Sequence, residues 1–335
     1  MKMRAKPSYL KLYKSGELAE RLNILESRLA NCDLCPHVCK VNRYKKANGK
    51  CQAGADPLIS SICDHHGEEP VLSGTNGSGT VFFGRCNLKC VYCQNYQISQ
   101  ASSNIDQWRM SASEVAQKIV DLQNTKKVHN INFVSPSHFI AQMVRIIYEA
   151  IQLGLYVPIV YNSNGFDSVE SLKLLDGIVD IYLPDFKYAD AETAFSYSGI
   201  KNYPNIAMAA IKEMYRQVGN LKINRQGLAT GGLLVRHLVL PNDLAESKKV
   251  LKLLNEEISP DIAISLMAQY HPSHKAMNYP LLSRSVSYNE YNRVLEYMDK
   301  LNLKQGFSQQ IDAPEYYLPD FNREAHPFNP TENHK

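Results

Sequence analysis

The chain has 335 residues, 44% of them hydrophobic, with Lys+Arg 37 against Asp+Glu 33 and a formal net charge of +4. That near balance leaves no electrostatic footprint for nucleic acid, no apolar run approaches the ~20 residues of a membrane span, and the first residues lack the apolar core of a signal peptide. A chain this long buries on the order of 75% of its unfolded surface, enough for an α/β core with a small appendage; its 8 cysteines, tightly grouped, read as metal ligands in the reducing cytoplasm, where disulfides are rare.

Lys2, Arg4, Lys6, Lys11 and Lys14 make the start basic, and it reads as a solvated, frayed terminus. Cys32, Cys35, Cys39 and, after a stretch rich in Lys, Arg and Asn, Cys51 form the first constellation. Four thiols in two arms fit a closed tetrahedral zinc site or an auxiliary 4Fe-4S cluster, and spacing alone does not choose. Residues 31–53 carry too few apolar side chains to bury a core, so the segment needs its metal to hold shape. Cys63 stands alone and reads as a small buried thiol. The segment from His65 and His66 to Glu68 and Glu69 could be a metal site from its two histidines and two carboxylates, and reads as a structural or substrate-facing turn rather than a third metal site. Gly74, Gly77 and Gly79 are a tight turn, since no helix follows where a dinucleotide fingerprint requires one.

Strand-length apolar or β-branched runs then recur at 79–84, 131–136, 157–162, 178–186, 232–241 and 263–270. They are apolar throughout, as strands buried on both faces are. Helix starts fall between them at Ser111-x-x-Glu114 and Asp167-x-x-Glu170, the latter helix stopping at Gly177, and after the last at Ser287-x-x-Glu290, each pairing an N-cap oxygen with an acidic side chain three residues on. A helix over 138–153 lines up Ile140, Val144, Ile147 and Ile151 and stops at Gly154. Six such units predict an α/β fold with a parallel sheet and right-handed crossovers, too few for a closed eight-fold barrel. Beyond Leu303 the chain turns polar, with Pro314, Pro319, Pro327 and Pro330, and is expected to wrap the barrel and fray. The expected organisation is an N-terminal cysteine-rich region at 1–70, a core at 71–305 and a C-terminal extension at 306–335.

The most informative run follows the first strand: Gly84-Arg-Cys86-Asn-Leu-Lys-Cys90-Val-Tyr-Cys93. Three close thiolates can hold three corners of an iron–sulfur cube. With no fourth cysteine nearby, one iron keeps no protein ligand and is open to a substrate, as catalytic zinc sites keep one position open. A structural zinc knuckle and ordinary buried thiols are the alternatives. Polar residues also gather just past the later strands, at Ser135-Pro-Ser-His138, Asn162-Ser-Asn-Gly165, Asp185-Phe-Lys187 and Gln269-Tyr-His271. Stacked at one rim of an apolar sheet they need a purpose, because unpaired burial is costly. His237, beside Arg236 in an apolar strand, reads as a hydrogen-bonded core or rim residue.

The Cys-x3-Cys-x2-Cys spacing, with Tyr92 before the last cysteine, resembles the signature of the radical SAM superfamily. From about Cys32 to Leu301 the chain resembles homologues of pyruvate formate-lyase-activating enzyme, particularly a branch with no agreed substrate. The segments carrying this include Cys32-x2-Cys35-Pro-His-x-Cys39, His66-Gly-Glu-Glu-Pro70, Asp180-Ile-Tyr-Leu-Pro-Asp-Phe-Lys-Tyr188 and Arg236-His-Leu-Val-Leu-Pro241. The resemblance implies a partial (β/α)6 radical SAM barrel with its site at the carboxyl ends of the strands. It implies a 4Fe-4S cluster on Cys86, Cys90 and Cys93, whose open iron takes S-adenosylmethionine (SAM). Reductive cleavage would yield a 5'-deoxyadenosyl radical that abstracts a hydrogen atom.

By the same resemblance Tyr92 packs near the adenine and Asn95 follows the last ligand. Ser135, with Pro136 and Ser137, replaces the Gly-Gly-Glu-Pro turn that holds the methionyl amine in characterised activating enzymes. Asn162, Asp185, Lys187 and His271 complete the implied SAM contacts. The implied partners are a protein or peptide substrate such as a glycyl-radical enzyme, and a one-electron donor such as flavodoxin or ferredoxin. Radical modification of another peptide or of a small molecule is the alternative within enzymes. A non-catalytic iron–sulfur or zinc redox or scaffold protein is the alternative outside them.

Overall fold

The structure, a computed structural model, describes residues 7–101, 105–309, 318–323 and 326–328. Its centre is a sheet of β1 (Ile59–His65), β2 (Ser78–Phe83), β3 (Ile131–Val134), β4 (Ile159–Ser163), β5 (Ile181–Pro184), β6 (Lys222–Ile223), β7 (Ala229–Leu238), β8 (Ala263–Met267) and β9 (Gly306–Ser308). The spatial order is β1-β2-β3-β4-β5-β7-β8-β9, with β6 beside β7. From β2 to β9 neighbours on this path run parallel, while β1 lies antiparallel to β2. No pairing joins β1 to β9 among the described residues, so the sheet stays open, as a partial barrel does.

Strands β2, β3, β4, β5, β7 and β8 are the six expected from the sequence. Alternate residues of one strand feed different cores, as the two-residue period of a strand dictates. Val160, Ile181, Leu183 and Leu234 pack with Val71 and Leu72, whereas Ile159, Tyr161, Tyr182 and Val235 join the main core under the helices. Both faces are therefore dry, which is why these strands show continuous apolar runs. The sequence missed β1, whose Ser60, Ser61 and Asp64 blur the alternation and which carries a register shift between Ile59 and Ser61. It also missed β6 and β9, too short to show a period.

The capping boxes at Ser111–Glu114 and Ser287–Glu290 form as expected. The one expected at Asp167 does not: the helix Val169–Lys173 starts from Ser168, and it ends short of Gly177. Asp167 turns inward and accepts the Tyr161 hydroxyl at 2.7 Å and the Ser163 hydroxyl at 2.6 Å. Two buried hydroxyl donors outcompete an exposed cap. The helix expected from residue 138 begins at Ile140, after a short 3-10 turn over Pro136–His138.

The N-terminus is packed from the first described residues. The Tyr9 hydroxyl donates to the Val157 carbonyl at 2.9 Å, and Asp180 accepts from the Ser8 amide and hydroxyl at 3.1 and 2.9 Å. Lys11 and Lys14 thus sit on a docked helix, Tyr9–Ser15, where fraying was expected; Lys2, Arg4 and Lys6 lie outside the described residues. One continuous core runs from Tyr9 to Leu303. At the other end β9 joins the sheet, and the described part of the tail returns to β1, where His326 Nε2 meets the Asp64 carbonyl at 3.0 Å. Phe328 stacks on His65 with ring centroids 4.0 Å apart. Pro319 and Pro327 belong to this return, and Pro314 and Pro330 lie outside the described residues. Among the described residues no helix is long and apolar enough to cross a membrane.

Candidate cluster and cofactor site

The loop after β2 carries Cys86, Cys90 and Cys93, and the parallel sheet brings the ends of its neighbours to the same place. The three cysteines, Tyr92, Asn95, Ser135, Asn162, Asp185 and Lys187 line one cavity of about 210 Å³. His271 does not line it; it lies half-buried on the loop after β8.

Each sulfur of the triplet has a hydrogen-bond partner. Cys90 Sγ accepts from the Ser198 hydroxyl at 2.9 Å, Cys86 Sγ from Asn164 Nδ2 at 3.3 Å and the Leu88 amide at 3.4 Å, and Cys93 Sγ meets Ser99 Oγ at 3.2 Å. Donors aimed at sulfur favour a thiolate, the form that binds metal. Burial pushes the free thiols the other way, Cys93 up to about 12, while the Lys187 ammonium pulls all three down. A bound metal group supplies the positive charge that decides this balance. Among the described residues no three His, Cys, Asp or Glu side chains converge as a single-ion site. The triplet faces a space, which fits a bulky cluster. A second chain of hydrogen bonds runs from Tyr92 to the Tyr188 hydroxyl (2.5 Å) and from Tyr188 to Ser198 (2.8 Å), reaching Cys90.

Opposite the thiols lies a partly buried charge network. Lys187 Nζ is 2.6 Å from one Asp185 oxygen and Arg236 Nε 2.9 Å from the other. A second Arg236 nitrogen donates to Asn162 Oδ1 at 2.7 Å, and its third lies 3.8 Å from Glu68. Burial works against the Asp185 charge, but the two cations hold its carboxyl below the usual range. Burial also dominates at Glu68, raising it to about 7 despite Arg236 and the Asn132 amide. Gly165, at φ +78°, makes the close approach possible, since a Cβ there would lie 2.2 Å from the Asp185 carbonyl oxygen. His237 is fully buried between the Phe186 carbonyl (2.6 Å) and the Ser247 hydroxyl (2.8 Å), a core histidine as expected.

Sequence reasoning had Glu68 only as part of a structural or substrate-facing turn and Arg236 only within a matched segment, without a cavity role for either, and it missed Ser99, Asn164 and Ser198 as sulfur partners. Arg236, Glu68 and Asn164 stood inside segments already singled out. Ser198 had no local signal, for it reaches Cys90 from a separate helix, Ala191–Ser198.

Residues 80–260 match the sequence profile of the radical SAM superfamily, and the chain belongs to that superfamily. Its members cleave SAM with an iron–sulfur cluster. A curated relative, the uncharacterized protein MJ0674 of Methanocaldococcus jannaschii, is 32% identical over 302 residues, covering 88% of this chain and 82% of that protein.

Proposed function

We propose that Cys86, Cys90 and Cys93 hold a 4Fe-4S cluster and that the polar end of the cavity holds SAM. The observation that carries this is the meeting of three hydrogen-bonded thiols with the Asp185–Lys187–Arg236 network in one cavity. When bound, the cluster and SAM supply a 5'-deoxyadenosyl radical that abstracts a hydrogen atom.

The chain's own residues orient and enclose. Lys187 has ammonium hydrogens left after its bond to Asp185 and would pair with the carboxylate of SAM, a strong pair in a dry pocket. Ser135, held in the left-handed region at φ 57°, offers its hydroxyl and backbone to the methionyl amine. Tyr92 and Asn95, which line the same cavity, would border the nucleoside. No acid–base pair is required of these residues, because a hydrogen atom moves and not a proton.

By the activating-enzyme resemblance the hydrogen donor is a backbone glycine of a partner protein, and the electron comes from a flavodoxin- or ferredoxin-type donor in the cytoplasm. One observation favours the second reading, a small molecule or short peptide: Pro319 and Phe328 of the C-terminal extension help to line the same cavity. The test is anaerobic turnover of the reconstituted protein with a strong one-electron reductant. Methionine and 5'-deoxyadenosine should appear, and Lys187→Met should raise the SAM concentration needed. A glycine-centred radical signal in a mixed partner protein selects the first reading. Its absence alongside turnover selects the second.

A further inference from the structure

A second set of thiols has its own cavity. Cys32, Cys35, Cys39 and Cys51 line it together with Leu34, Arg43 and His138. Backbone amides point at the sulfurs: Lys50 N to Cys39 at 3.4 Å, the His37 amide to Cys35 and the Ala53 amide to Cys51. The last two repeat the i to i+2 pattern of Leu88 and Cys86 in the cluster loop. Three residues without the freedom of glycine sit in the left-handed region beside these cysteines, Val38 (φ 44°), Lys40 (φ 54°) and Gln52 (φ 55°). Each costs on the order of 1–2 kcal/mol unless its surroundings impose it. Residues 32–58 contain no helix or strand, whereas an unstructured connection much beyond about 15 residues is uncommon in a compact domain. A few backbone bonds, from the Cys32 amide to the Val41 carbonyl and from the Lys40 amide to the Cys32 carbonyl (2.8 Å each), close the base of the loop, and the rest of the segment has no regular ladder.

His138 adds an independent sign. It is 1% exposed, and its Nε2 lies 3.0 Å from the Gly84 carbonyl, so Nε2 carries the proton. Its Nδ1 then keeps a lone pair, and that atom is buried with no partner. A metal-site histidine commonly gives its other ring hydrogen to a carbonyl in this way.

Two contacts tie this cavity to the neighbouring loop. His138 holds the carbonyl of Gly84, and His37, between Cys35 and Cys39, holds the carbonyl of Asn87 at 2.8 Å. The two bonds bracket Cys86. Arg43 anchors the arrangement through the carbonyls of His138 (2.5 Å) and Gly54 (2.6 Å).

We propose that Cys32, Cys35, Cys39 and Cys51 bind an iron–sulfur cluster as its four thiolate ligands, with His138 lining the same cavity, and that this closed site braces the loop around Cys86 through His37 and His138. The four thiols release their protons as the group binds. With every corner held by protein, this site does not take SAM. The bracing half rests on the cluster reading above; the metal site does not.

The two halves are separated by two sets of variants. A chain with Cys86, Cys90 and Cys93 all changed to Ala, reconstituted anaerobically, should still hold iron and sulfide stoichiometrically. Zinc in their place, or absence of bound metal, overturns the site. Changing Cys32, Cys35, Cys39 and Cys51 to Ser should remove that metal. Should this variant fail to fold, the triple-Ala chain still decides the question. For the brace, His37→Ala keeps all four thiols. It should retain the N-terminal metal yet lose triplet iron to a chelator several-fold faster than the natural protein, with an altered cluster resonance spectrum. An unchanged rate and spectrum overturn the brace and leave the cluster reading intact.

Discussion

The two cysteine regions are built from similar local parts and differ in what surrounds them. Both place buried sulfurs on a loop and point backbone amides at them. The triplet opens onto a cavity that continues into Asn162, Asp185, Lys187 and Arg236. The N-terminal four face a small pocket walled by Leu34, Val38 and Val41, with Arg43 and His138 completing the lining. Number of thiols and free space separate the two: three thiols open onto a cavity that continues along a charged wall, whereas four thiols close on a small pocket whose Arg43 and His138 are already bonded to backbone carbonyls.

The contrast breaks most sharply at the ligands. Cys90→Ala should abolish SAM cleavage, whereas Cys39→Ser should leave cleavage reduced and detectable, measured as methionine released anaerobically. If both lose all turnover with the fold intact, the distinction between the sites fails. The charged wall is next. Asp185→Asn leaves the partly buried Lys187 and Arg236 without their shared anion, a loss of about 1–3 kcal/mol, to be read by denaturant unfolding together with weakened SAM binding.

Glu68 sharpens the account through pH. Its carboxyl is raised to about 7 in the folded chain by burial, so between the usual carboxyl range and that value the folded state binds more protons than the unfolded one. Stability contributed by the protonated carboxyl is present at low pH and lost as pH rises towards 7. Glu68→Gln lacks this slope. It should match the natural chain near pH 4 and exceed it at pH 8 by roughly 1–3 kcal/mol, and equal pH slopes in thermal unfolding would refute the assignment. The smallest effect lies outside both regions: Ser111→Ala removes a cap worth about 1 kcal/mol and should leave cleavage unchanged.

Much of this was legible in the sequence because the signals were local. The six central strands show as apolar runs since both their faces are dry, and the triplet shows by spacing alone. What stayed hidden depends on groups far apart in the chain. Ser198 meets Cys90 across 108 positions and Arg236 meets Asp185 across 51, and no periodicity announces such pairs. Asp167 misled because a cap pattern and a buried acceptor have the same residue type, and only the hydroxyls of Tyr161 and Ser163 decide between them. The basic start misled in a similar way: its charges dominated the reading, while Ser8 and Tyr9 did the docking.

The central claim is an iron corner left open by Cys86, Cys90 and Cys93, and electron paramagnetic resonance of the reduced, reconstituted protein addresses it most directly. Adding SAM should shift the cluster's spectrum, and the shifting signal should be missing from Cys90→Ala. A spectrum indifferent to SAM, or a SAM-sensitive signal that survives without Cys90, would contradict the account.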